Sequence, residues 1–235
     1  MIVLGLDPSL TNFGWAIHDT EADRQGRLVE SGRFKTSAKM EFVERYIHQR
    51  EALRDLVQRV QPDRVGIEFP VFNEMWSEGM YGLFLFSCEA LRTEKRDVVF
   101  WTPMQVKSWA RESLDRPKGW KMGKADMVEA TRYDTRETDL KLGPNLNHNE
   151  ADAYLVARVS GRFWLLYEGL LEEDELTAVE QHLFTRVHTF VRGKKAGRTV
   201  RTGMLHREDD RFFLWSETFN AEEEDHQDER IDQPG

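Results

Sequence analysis

The chain has 235 residues, 40% of them apolar and 32% charged, with a formal net charge of −9. That is enough for one good core with an appendage, or for two small domains, and it excludes a fibrous or wholly disordered protein. The single cysteine, Cys88, excludes an intrachain disulfide, no apolar run approaches bilayer-spanning length, and no basic leader precedes the first strand, so a cytoplasmic protein off the membrane is expected.

Ile2 to Leu6 is an apolar β-run ending at Asp7, and the turn formers Pro8, Ser9 and Asn12 lead into a second β-rich stretch, Phe13 to Ile17. Leu28 to Thr36 reads as a third strand and completes a meander. Residues 39–60 carry Val43, Tyr46, Ile47, Leu53, Leu56, Val57 and Val60 at helical spacing, with Pro62 as a stop. A short strand, Val65 to Phe69, contains Glu68 near its end and is closed by Pro70. A helix from Ser77 to Lys95, a strand from Val98 to Thr102 and helices over 104–114 and 124–133 follow. Residues 134–148, with Gly143 and Pro144, read as a loop before a core helix from Asn149 to Tyr167. Three antiparallel strands and then alternating helix and strand predict an α/β fold, a mixed five-stranded sheet covered by helices.

Three units are expected: residues 1–168 as the main domain, 169–216 as a small C-terminal extension, and 217–235 as an acidic, disordered tail. The extension opens with GLLEEDELTAVE, read as the start of a short helix, and continues from His188 to Trp215 as a basic β-hairpin or small sheet. Charge is unevenly spread: residues 218–235 hold a net of −6, whereas residues 186–207 carry seven Lys or Arg and no acid. Such a block suits phosphates or is simply a solvated face.

Asp7 closes a strand that is apolar on both faces, where a lone carboxylate is costly without a partner or a cation. Glu68 ends another core strand, and Asp152 lies one turn before Val156 on the apolar stripe of HNEADAYLVA. If the two strands are neighbours, three carboxylates converge and repel strongly unless a divalent metal neutralises them. Hard oxygen donors with room for water suit Mg²⁺ or Mn²⁺. Two such ions roughly 3.5–4 Å apart activate a water and stabilise the leaving oxygen in phosphodiester cleavage.

The ordered set IVLGLDPSLTNFGWAI, VGIEFP, WTPMQVK, GKADM and HNEADAYLVA, spread over residues 1 to about 167, resembles the RuvC-type Holliday junction resolvases of the ribonuclease H-like superfamily. The resemblance implies a ribonuclease H-like sheet and a metal-dependent homodimeric endonuclease that cuts two opposed strands of a four-way DNA junction. It places the family's metal-binding and catalytic acids on Asp7, Glu68 and Asp152. Many relatives carry an aspartate or histidine three residues before the last aspartate, where this chain has Asn149; Asn149 or Glu150 is the expected catalytic substitute, with His148 one turn from Asp152 a further option. Asn147 followed three residues on by Glu150 also fits a capping box. The resemblance assigns Lys107, Lys118, Lys121 and Lys124 to the DNA backbone, contacts that give affinity without sequence readout, and Phe72 to base stacking at the crossover.

LGLDPSLTNFG also resembles the first phosphate loop of actin-like and sugar-kinase ATPases, but the second phosphate loop and long two-domain chain of those proteins are missing. A binding protein that keeps the fold without catalysis is the other alternative, favoured by the absent fourth anion.

Overall fold

The computed structural model describes residues 1–21, 26–69, 78–135 and 146–184, together with the backbone of four short strands beyond them. Phe72, the loop glycine and proline at 143 and 144, most of the basic run at 186–207 and the acidic tail lie outside the described residues.

Strand β1 (Ile2–Asp7) pairs antiparallel with β2 (Asn12–Asp19), which pairs antiparallel with β3 (Arg27–Lys35). On its other side β1 runs parallel to β4 (Arg64–Glu68), and β4 runs parallel to β5 (Val98–Trp101). The order β3-β2-β1-β4-β5 is the mixed five-stranded sheet expected from the pattern. It continues past β5, because the C-terminal extension adds the hairpin β8 (Met204–Glu208) and β9 (Arg211–Leu214), with β8 antiparallel to β5. A separate two-stranded pair joins β6 (His188–Thr189) to β7 (Thr199–Val200).

Helices cover both faces. Helix α1 (Phe42–Val60) ends where Gln61 adopts a left-handed conformation just ahead of Pro62, and it packs with α2 (Glu78–Thr93) on the face that carries Leu4, Leu6, Val65, Ile67 and Phe100. The opposite face takes α3 (Pro103–Ser113), α4 (Lys124–Asp134), α5 (His148–Tyr167) and α6 (Ala178–Phe184), around Val99, Trp101, Trp109, Met127 and Trp164. Thr102 caps α3 reciprocally with Gln105, and Pro103 supplies the first helical residue. The acidic segment after α5 forms a single 3₁₀ turn, Glu173–Glu175, before α6. Its Leu171 and Leu176, with Leu183 and Phe184 of α6, join the core beneath α5.

Helix α5 is the central element, and three glycines set how closely it lies on the sheet. A Cβ on Gly5 of β1 would overlap the carbonyl oxygen of Ala153 and the backbone of Ala157. One on Gly14 of β2 would overlap Asn149, and one on Gly66 of β4 the hydroxyl of Ser160. The helix therefore crosses β2 and β1 in backbone contact and meets β4 through the Ser160 side chain. Ser160 is pinned from the next strand as well, where Trp101 Nε1 donates to its Oγ at 2.8 Å. Among the described residues, no helix is long and apolar enough to cross a membrane.

Candidate active site

Asp7 is the last residue of β1 and Glu68 the last of β4. The parallel register sets Gly5 beside Gly66 and Leu6 beside Ile67, so one step further along each strand brings Asp7 next to Glu68. Side chains alternate across a sheet, so Asp7 shares a face with Gly5, and Glu68 with Gly66. That is the face on which α5 rests, and Asp152 precedes the Ala153 that touches Gly5.

Burial holds the Asp7 carboxyl well above the usual carboxylate range, and the charges of Glu68 and Asp152 push it further, with Lys124 opposing. Glu68 is raised for the same first reason, burial, and then by Asp152, with Lys107 opposing. Asp152 is pushed up to about 6 by burial, while Lys107 and Lys124 hold it down. The structure thus brings the three acids within electrostatic reach of one another, and two lysines from α3 and α4 within reach of the acids.

Whether a divalent ion suits this place depends on the donors. Among the described residues, no three Asp, Glu, His or Cys side chains already stand close enough together to hold a metal ion. The donor chemistry nonetheless fits. All three groups offer hard carboxylate oxygen, and Asp152 Oδ1 is buried with no hydrogen-bond partner. A buried, unpaired carboxylate oxygen within electrostatic reach of two other acids is the arrangement that a cation relieves.

The α5 N-terminus departs from expectation in its details. Asn147 is the N-cap, but its side chain accepts from the Asn149 N–H at 2.9 Å, and no capping box with Glu150 closes. Glu150 instead forms an ion pair with Arg33 of β3, 2.7 Å from Nε, because a guanidinium is a stronger partner for a carboxylate than a neutral amide. Asn149 is buried and donates its side-chain amide to the Asn12 carbonyl, tying α5 to β2. Both candidate substitutes for a fourth acid thus hold contacts on the β2–β3 side. His148 faces Lys124, with its Nε2 3.1 Å from Lys124 Nζ, and burial followed by the charges of Lys124 and Arg33 lowers its pKa. Lys118 and Lys121 are exposed in the connection between α3 and α4.

Sequence reasoning overlooked the glycines. The signal was present, since both acids follow a glycine by two residues, in Gly5-Leu6-Asp7 and Gly66-Ile67-Glu68, which is the strand spacing for a shared face. The contacts of Arg33 with Glu150 and of Lys124 with His148 had no local signal.

No family model matches the chain. The crossover junction endodeoxyribonuclease RuvC of Clavibacter michiganensis subsp. michiganensis is 34% identical over 111 residues, 46% of this chain and 54% of that protein. RuvC of Synechocystis sp. is 33% identical over 70 residues, 30% of this chain and 42% of that protein. The chain thus spans about half the length of these two relatives. RuvC of Parafrankia sp. is 29% identical over 160 residues, 67% of this chain and 84% of that protein. Among solved structures, T. thermophilus RuvC in complex with a Holliday junction substrate superposes with a TM-score of 0.58 at 22% identity, covering 72% of this chain and 96% of that one. A second Thermus thermophilus RuvC structure gives 0.55 at 21% identity, covering 72% and 97%. A mixed sheet in the order β3-β2-β1-β4-β5 with helices on both faces, and the similarity to these proteins, give the chain a ribonuclease H-like fold and a clear resemblance in sequence to the RuvC-type Holliday junction resolvases.

Proposed function

We propose that the chain is a metal-dependent DNA endonuclease that resolves four-way junctions by hydrolysing two opposed strands, working as a homodimer in the cytoplasm. The observation that carries this reading is the grouping of Asp7, Glu68 and Asp152 on the α5 face, where burial raises all three and the charge of neighbouring acids raises Asp7 and Glu68 further. Similarity to proteins named crossover junction endodeoxyribonuclease supports the choice of substrate.

In this reading Asp7, Glu68 and Asp152 would hold Mg²⁺, which Mn²⁺ can replace. Two such ions supply water activation and stabilisation of the departing oxygen. The protein's own residues do the rest. The buried strand ends keep the three carboxylates in a dry, low-dielectric setting where their pull on a cation is strong. Lys107 and Lys124 offset part of the negative charge and lie where a phosphate approaching the acids meets them. Lys118, Lys121 and Phe72 extend the proposed DNA contact, the lysines by charge and the ring by stacking.

A second reading, a DNA-binding protein without catalysis, is favoured by Asn149 and Glu150 being held by Asn12 and Arg33. One panel separates the two. Labelled four-way junction, flap, duplex and RNA:DNA hybrid are incubated with Mg²⁺, Mn²⁺ or EDTA, using the unmodified protein and Asp7→Asn. Paired, symmetric nicks in the junction alone, lost in EDTA and in the variant, are expected. Junction binding without metal-dependent nicking selects the second reading, and equal cutting of the hybrid moves the assignment to another ribonuclease H-like branch.

A further inference from the structure

We propose that His148 is a positioning residue for Lys124, aiming its ammonium at a phosphate of the bound strand; the inference rests on the endonuclease reading above. Lys124 opens α4 and His148 opens α5, and the two side chains meet with Nζ 3.1 Å from Nε2. An ammonium has only hydrogens to offer, so the nitrogen facing it accepts and the ring carries its own proton on Nδ1. Both residues line an open groove of 660 Å³ between the two helices, within reach of a strand lying on the surface.

The nature of the partner is the core of the argument. The charge of Lys124 acts on both Asp7 and Asp152, yet among the described residues it forms no salt bridge. A carboxylate partner would hold the lysine but cancel its charge. A neutral imidazole restrains the flexible stem and leaves the charge available to an anion. Restraint before binding lowers the entropy lost when the phosphate arrives. Arg33 makes the complementary choice on the other side of the same helix start, where its charge is neutralised by Glu150.

The test is a double-mutant cycle on the full chain, with single-turnover cleavage of a saturating four-way junction in Mg²⁺. His148→Ala is expected to slow cleavage about tenfold in the native background and by less than about twofold in Lys124→Met, since only the first has a cation to position. His148→Gln, whose side-chain oxygen can also accept, is expected to stay within about threefold of the native rate. A loss of the same size in both backgrounds overturns the proposal. So does a rise in the Mg²⁺ concentration needed for half-maximal cleavage, which marks His148 as a metal ligand. Long-range ¹H–¹⁵N spectra, with the His148 signal identified by its loss in His148→Gln, give a readout free of cleavage. A proton on Nδ1 is expected, and a proton on Nε2 overturns the contact itself. A native protein that cuts no DNA overturns the endonuclease reading and the phosphate role while leaving the spectrum to judge the contact.

Discussion

Asp152→Asn should make the metal-free protein more stable while abolishing its proposed activity. Asp152 has a carboxyl pKa of about 6 in the folded chain against an ordinary value of 3.8, with burial as the first cause. A carboxyl raised by folding binds its proton more tightly in the native state, so stability is highest at low pH and is lost as the pH climbs from 3.8 towards about 6. Each tenfold change in proton affinity is worth ~1.36 kcal/mol, so the penalty is about 1 kcal/mol at pH 4.5 and grows to a plateau of about 3 kcal/mol at pH 8. Asparagine keeps the shape, cannot ionise, and offers its amide hydrogens to the neighbouring carboxylates. In EDTA at pH 8 the variant is expected to melt about 6–12 °C above the native protein, and the gap should shrink to about 2–4 °C at pH 4.5. Mg²⁺ should raise the melting temperature of the native protein and leave the variant almost unmoved. Urea titrations at both pH values, with and without Mg²⁺, measure all of this. A variant no more stable than the native chain at pH 8, or a gap equal at the two pH values, refutes the reasoning.

Lys107→Met removes a charge that holds down both Glu68 and Asp152, so their pKa values rise further and the acid limb of the cleavage–pH profile moves to higher pH, as single-turnover rates across pH 5–9 would show. The same variant should flatten the salt dependence of junction binding by about one phosphate contact in a titration of affinity against ionic strength. Gly5→Ala drives a methyl group into the Ala153 carbonyl and the Ala157 backbone, and a cost of about 3 kcal/mol or more in urea unfolding is expected, since neither helix nor strand can yield there. Asp134→Asn removes the carboxylate to which Arg158 Nε donates at 2.9 Å and to which Tyr154 also donates, and the stranded guanidinium should cost about 3 kcal/mol in the same assay.

The placement of the candidate acids was legible because it is written in local pattern. An acid ending an apolar strand stands out, and Asp7 and Glu68 both do so in the structure. Asp152 is placed by its spacing from Val156, one turn further along a helix that the structure buries on most sides. The helix starts at Pro103, Lys124 and His148 fall within a residue of their expected places because caps and proline act over a few residues. Asn149 and Glu150 were harder to read. A polar side chain at a helix start can serve a metal, a cap or a distant partner, and the partners that hold them, Asn12 and Arg33, are more than a hundred residues away.

The order of strands and helices, the faces they bury and the acids that end β1 and β4 follow from the sequence alone, since alternation, helical period and turn residues are properties of short windows of chain. The closeness of α5 to the sheet at Gly5, Gly14 and Gly66, the packing of Leu171, Leu176, Leu183 and Phe184 into the main core, and the pairing of Lys124 with His148 were decided only in three dimensions. The raised carboxyls belong with these. Burial and the field of neighbouring charges are sums over everything that folds around a group, and no stretch of neighbours in sequence contains them.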